Sequence, residues 1–256
     1  MLTLIPLPAF EDNYIWTWHD DRHAVVVDPG DAAPVIDYLA ARNLALAAIL
    51  VTHHHRDHTG GIAGLRQRYD CAVYGPDNSR IPQVTHAVKG GDRITLPSPL
   101  LCFDVMATPG HTLDHVSYLG HGHLFCGDTV FGCGCGKLFE GTPAMMAASL
   151  DAILGLPDAT RLCCAHEYTL SNIDFAMTVD GTNPALVERA DMDRALRAAG
   201  RPTLPSTLAL EKATNPFLRF HEPSMRDLAA RRLNRPDPAP AEVFGAIRAA
   251  KDAWDG

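Results

Sequence analysis

Leu46-Ala-Ala-Ile-Leu-Val-Thr52 runs without a break into His53-His54-His55-Arg56-Asp57-His58. The first stretch is short and apolar throughout, which predicts a strand buried on both faces of its sheet. The second stretch carries the pattern H-x-H-x-D-H, three imidazoles and a carboxylate within six residues of the strand's end. Side chains two apart in an extended segment share a face, so His53 and His55 can meet one metal ion. Asp57 and His58, at the start of the following helix, can face a second. His54 falls on the opposite side of an extended loop.

Three more strand ends carry residues of the same chemistry. His111 follows the strand predicted over residues 100–107, after Thr108-Pro-Gly110. Asp128 follows a strand at residues 124–126, and His166 follows one at residues 162–165. Loops beyond strand ends are where sites gather. The candidate ligands are therefore His53, His55, Asp57, His58, His111, Asp128 and His166. Seven are too many for one tetrahedral metal and suit two metals that share a bridging carboxylate and a bridging water. His115, four residues after His111, could orient a ligand, but core packing is the reading to expect. Such a site activates water for attack on carboxyl or phosphoryl esters, amides, lactones and thioesters, and the motif does not choose among them.

Around these motifs, residues 2–7, 14–18, 24–27 and 71–74 read as strands. Residues 33–44, 60–69 and 143–154 read as helices, the last capped by Thr142 with Pro at its first position. Asp28-Pro29-Gly30 is a strong turn signal. Beyond Tyr168 helical patterns dominate, at residues 184–199, 224–233 and 241–254. A boundary near residue 170 is expected, with residues 1–170 forming the catalytic domain and 171–256 a smaller helical domain. Many β-runs with helices between them predict sheets covered by helices on their outer faces, an α+β fold.

The chain has 256 residues, 46% of them hydrophobic, which excludes disorder of the whole. With 22 Lys+Arg against 30 Asp+Glu the net charge is −8, without the basic footprint of a nucleic-acid binder. The charge is uneven: residues 201–256 hold nine basic and seven acidic side chains, a weakly basic tail on an acidic body. The longest apolar run, residues 44–51, is far short of the ~18 residues that suggest a membrane span. Residues 1–8 lack the basic region and cleavage site of a secretory signal. Seven cysteines without a CxxC pair fit a reducing cytoplasm, where they serve as small buried hydrophobes. A soluble monomer without nucleic-acid or membrane partners is expected.

The H-x-H-x-D-H motif with its separate His, Asp and His resembles the metallo-β-lactamase superfamily. That resemblance implies a four-layer αββα sandwich with a dinuclear site. It assigns His53, His55 and His111 to one metal, Asp57, His58 and His166 to the other, and Asp128 to both. Four further segments resemble the glyoxalase II (hydroxyacylglutathione hydrolase) family. They are Phe10-Glu-Asp-Asn-Tyr-Ile-Trp16, Gly132-Cys-Gly-Cys-Gly-Lys-Leu-Phe-Glu-Gly-Thr142, His166-Glu-Tyr-Thr169, and Leu204-Pro-Ser-Thr207 with Glu211 and Asn215-Pro-Phe-Leu-Arg219. The likeness implies two divalent metal ions, zinc foremost, with iron and manganese open. It implies hydrolysis of S-(2-hydroxyacyl)glutathione thioesters, with S-D-lactoylglutathione giving D-lactate and glutathione in methylglyoxal degradation. Asp57 and Asp128 would orient the metal-bridging hydroxide. Lys137, Phe139, Tyr168, Arg248 and Lys251 would hold the glutathione moiety, although some members have Tyr where this chain has Phe139. Arg248 and Lys251 lie on one helix face and suit the two free carboxylates of that tripeptide. The alternatives on the same fold are a glutathione persulfide dioxygenase with mononuclear iron and another hydrolase such as a lactonase.

Overall fold

Alternating and β-branched runs at the start of the chain set up the first sheet of a computed structural model that describes residues 2–255. The chain divides into two units, one of residues 1–108 and 114–127, the other of residues 109–113 and 128–256.

In the first unit, β1 (Thr3–Ala9), β2 (Asn13–His19) and β3 (His23–Val27) form an antiparallel meander. Helix α1 (Ala33–Arg42) then crosses over to β4 (Ala45–Leu50), which lies parallel to β3. Pro at the first turn of α1 and a left-handed Asn43 at its C-cap fix the ends of that helix. Helices α2 (Arg56–Thr59) and α3 (Ile62–Arg68) lead to β5 (Ala72–Pro76) and β6 (His86–Val88), completing a six-stranded sheet in chain order. The apolar run at 46–51 is buried almost completely, as its composition requires. In this unit the second sheet runs β10 (His123–Gly127), β9 (Val116–Gly120), β8 (Leu100–Ala107) and β7 (Arg93–Pro97), antiparallel throughout. Phe103 meets Trp18 and Phe125 edge-on and Trp18 is tilted against Phe125, with centroids 5.9–6.2 Å apart.

In the second unit, the hairpin β11 (Val130–Phe131) and β12 (Gly134–Cys135) precedes α4 (Pro143–Leu154), whose Thr142 cap accepts from the Met145 amide. Strand β13 (Arg161–Cys164) pairs with β14 (Ser206–Thr207). The remainder is helical: α5 (Thr169–Asp180), α6 (Pro184–Ala198), α7 (Leu208–Thr214), α8 (Pro223–Leu233) and α9 (Pro240–Asp252). Two readings of the sequence change. The helix expected over residues 60–69 starts at Ile62 as α3, and the single turn α2 precedes it; Gly60 and Gly61 join the two where any side chain would strike the backbone of the Pro29–Ala32 turn. Helices α5 and α7 were absent from the sequence reading.

Candidate metal centre

Within the first unit the parallel arrangement of β3 and β4 brings their carboxyl ends side by side, where sites form in such sheets. Strand β4 leads through Val51 into Thr52-His53, and β3 leads into Asp28. Asp28 is buried, with a left-handed backbone (φ 54°) that Asp tolerates better than most residues. Its Oδ1 accepts from the Thr52 amide and its Oδ2 from the Thr52 hydroxyl, both at 2.7 Å. The same Oδ2 accepts from Nδ1 of His58 at 3.1 Å. Because the Thr52 hydroxyl gives its proton to Asp28, it can only accept from His53 Nδ1, which lies 3.0 Å away. Asp28 thus places the proton on Nδ1 of both histidines and leaves Nε2 of each as the ligand nitrogen.

His53 and His58 are fully buried and their ring centroids are 4.1 Å apart; His53 and His55 are 4.7 Å apart. Asp57 Oδ2 lies 3.3 Å from His58 Nε2 and accepts from Asn13 Nδ2 at 3.2 Å. His115 stacks on His53 with centroids 4.9 Å apart and meets the Thr108 hydroxyl at 2.8 Å, so it supports a candidate ligand by packing. His54 meets Asp114 instead, at 3.0 Å.

Within the second unit His111, Asp128 and His166 come together. Asp128 Oδ2 is 3.4 Å from His111 Nε2, and its Oδ1 is 3.5 Å from His166 Nε2. One carboxylate thus has a different histidine at each oxygen. His111 Nδ1 donates to the Lys137 carbonyl at 2.7 Å, which again leaves Nε2 as the ligand atom. Gly136 is required here, since a Cβ would lie 1.9 Å from the Asp128 carbonyl oxygen. Tyr168 stacks on His166, centroids 4.7 Å apart and planes 6° off parallel, with Phe131 edge-on to both.

The donor set fits a divalent metal. Two ligands on one tetrahedral zinc at ~2.0–2.1 Å stand about 3.4 Å apart. The Asp57–His58, Asp128–His111 and Asp128–His166 separations of 3.3, 3.4 and 3.5 Å match that spacing. Neutral imidazole with carboxylate oxygen is the ligand chemistry of zinc, iron and manganese alike.

The 131–135 hairpin is held by side chains from the helical part. Asn215 Nδ2 donates to the Phe131 and Gly134 carbonyls at 3.3 and 2.9 Å, and Asn172 to the Gly132 carbonyl at 3.0 Å. Glu211 Oε2 accepts from the Cys133 amide at 2.8 Å. Its Oε1 meets the fully buried Arg189 at 2.7 Å, and Arg189 also holds Thr214 and Asp193. Burial pushes the Cys133 thiol up to about 12 and the Cys135 thiol up to about 11, so neither is a nucleophile at neutral pH.

Of the residues expected to hold substrate, Arg248 is largely buried. It donates to the Cys135 carbonyl at 3.1 Å, pairs with Asp252 at 2.9 Å and lies over Phe217. Lys251 donates to the Ser171 carbonyl at 3.3 Å and sits 4.1 Å from the Trp254 ring centroid. Burial, with Arg248 adding to it, lowers the Lys251 amine to about 8. Phe139 is 62% exposed, edge-on to His111, with Lys137 Nζ 6.0 Å from its centroid. The sequence reading missed Asp28, Asn13 and Thr52 as partners of the candidate ligands. The available signal was an acid ending the strand before the one that leads into H-x-H-x-D-H.

Comparison with known proteins defines the class. Residues 12–166 match the metallo-beta-lactamase superfamily, and residues 167–254 match the hydroxyacylglutathione hydrolase C-terminus. A hydroxyacylglutathione hydrolase of Thiobacillus denitrificans is 72% identical over the full length of both chains. Another, of Methylobacillus flagellatus, is 51% identical over 97% of this chain and 98% of its own. Among solved structures, ETHE1 of Myxococcus xanthus matches with a TM-score of 0.65 and 26% identity, covering 98% of each chain. The chain has the metallo-β-lactamase fold with a helical C-terminal part. It belongs to the hydroxyacylglutathione hydrolase family.

Proposed function

We infer that this chain hydrolyses S-(2-hydroxyacyl)glutathione thioesters, with S-D-lactoylglutathione as substrate and D-lactate and glutathione as products. The observation that carries this reading is the match of residues 167–254 to the hydroxyacylglutathione hydrolase C-terminus, on a chain whose residues 12–166 belong to a metal-dependent superfamily. The 72% identity over full length supports it. We assign His53, His55 and His111 to one metal, Asp57, His58 and His166 to the second, and Asp128 to both. The metals are taken to be zinc. Bound there, they supply water activation at neutral pH and Lewis-acid stabilisation of charge developing on the thioester carbonyl oxygen.

The chain's own part is orientation. Asp57, steadied by Asn13, and Asp128, with its two oxygens on different histidines, are the groups we assign to orienting the attacking water. Asp28 fixes the tautomers of His53 and His58. Lys137, Phe139, Tyr168, Arg248 and Lys251 are assigned to the glutathione moiety; the cationic pair suits its carboxylates. The meeting of the two family matches at residues 166 and 167 supports a catalytic part before about residue 170 and a substrate-binding part after it. Seven free cysteines support a cytoplasmic setting, and among the described residues no helix is long and apolar enough to cross a membrane. We take the working unit to be a single chain.

The test compares S-D-lactoylglutathione with the same acyl group on N-acetylcysteamine, following loss of thioester absorbance. The reading predicts at least tenfold higher kcat/KM for the glutathione thioester. Equal values would remove glutathione recognition from the account.

A further inference from the structure

A cleft of about 780 Å³ opens in the first unit beside Asp57. The hydrogen-bonded Asn13–Asp57 pair already described is part of its lining. Gly30 also lines it, and a Cβ there would lie 1.8 Å from the Asp57 carbonyl oxygen and 2.8 Å from the Phe10 ring. The missing side chain therefore lets the Phe10 ring close over the Asp57 backbone. Phe10 is 60% exposed and held at φ 52°, an apolar wall maintained on a strained turn. Around this wall stand Glu11, Asp12 and Asp31, with Arg56 as the one cation of the lining.

We propose that this cleft takes the acyl group of the thioester, and that it selects short acyl chains without a charge over those ending in a carboxylate. This rests on the reading above, in which Asp57 belongs to the reacting centre and the glutathione moiety is held by residues of the second unit. A small hydroxyalkyl group places its carbon face on Phe10. Apart from Asp57, whose charge would be offset by the metal it is assigned to, the lining side chains are net negative by two, and a terminal carboxylate that enters among them is repelled. Like charges ~6–8 Å apart in a wet cleft each weaken binding by a few-fold, so the lining as a whole is worth about tenfold.

The experiment uses the metal-loaded full chain and two glutathione thioesters of equal length, S-(4-hydroxybutanoyl)- and S-succinylglutathione. The proposal predicts a kcat/KM ratio of about ten or more in favour of the uncharged acyl group. In the triple variant Glu11→Gln, Asp12→Asn, Asp31→Asn the ratio falls several-fold, and in the wild type it falls as salt is raised. Phe10→Ala raises KM for the hydroxybutanoyl substrate. A wild-type ratio near one, or one that neither the triple variant nor salt moves, overturns the proposal. Preference for the succinyl substrate that Arg56→Gln abolishes overturns it in the other direction. Absence of hydrolysis of every acyl-glutathione tested would instead be a failure of the functional reading itself.

Discussion

Asp28 accepts a hydrogen bond from His58 Nδ1 at 3.1 Å with the same carboxylate that holds the Thr52 hydroxyl, and through Thr52 it governs His53 as well. One side chain at the end of β3 thereby sets the tautomer of two candidate ligands at the end of β4. Partners of this kind are worth about 10–100-fold in metal affinity. Asp28→Asn keeps the shape, and Asn also tolerates the left-handed backbone found there. Chelator competition on this variant is expected to show metal affinity lowered by about 10–100-fold with the fold intact by circular dichroism. Unchanged affinity would remove Asp28 from the centre's support.

The hairpin that carries the chain from Asp128 to Lys137 has its backbone held by Asn215 and Glu211. Asn215→Ala deprives two buried carbonyls of their donor, at about 1–3 kcal/mol each. Arg189→Met leaves Glu211 and Asp193 buried without their cation, and breaking a buried pair from one side costs about 3–5 kcal/mol. Urea denaturation is expected to show both losses, the larger for Arg189→Met. A change under about 0.5 kcal/mol in either variant, the size of an ordinary surface substitution, would contradict this account of the hairpin.

Lys251 provides a pH dependence. Its amine is lowered to about 8, first by burial and then by Arg248. The charged form therefore predominates below pH 8 and is lost as pH rises through that value. The carboxylate recognition proposed for Lys251 requires the charged form. The profile of kcat/KM, which reports the free enzyme, is expected to fall through an alkaline limb near pH 8. In Lys251→Gln the limb disappears and KM is raised at neutral pH. A limb that persists in this variant would belong to another group.

The thiols are expected to be silent. Six of the seven cysteines are buried and Cys102 alone is half-buried. Titration with a disulfide reagent is expected to find no more than one reactive thiol in the native protein and seven after denaturation. Iodoacetamide is expected to leave activity in place. Rapid inactivation with modification at Cys133 or Cys135 would contradict their assignment as structural.

How far the sequence could be read follows from where each signal lies. Strand β4 and the H-x-H-x-D-H loop were legible because burial on both faces and metal ligation each leave a dense local pattern. Helix α4 was legible to the residue because Thr142 and Pro143 mark its start chemically. Helix α5 was not: its N-cap is Tyr168, whose side chain makes no capping bond, and its buried stripe carries Thr169, Asn172 and Asp180 among its apolar residues, so no apolar period shows. Strand β6, three residues long, is too short to show a period. Asp28 read only as a turn residue, since its importance depends on β3 and β4 being neighbours, a relation that pairing creates and local sequence does not contain. The buried setting of Arg248 was hidden for the same reason: its contact at Cys135 lies 113 residues away.

The most direct test of the central claim is titration of the metal-free chain with zinc while hydrolysis of S-D-lactoylglutathione is followed. The account predicts thioester loss that rises with added metal and levels off at two zinc ions per chain. A chain that holds two metals and leaves the thioester intact would contradict it.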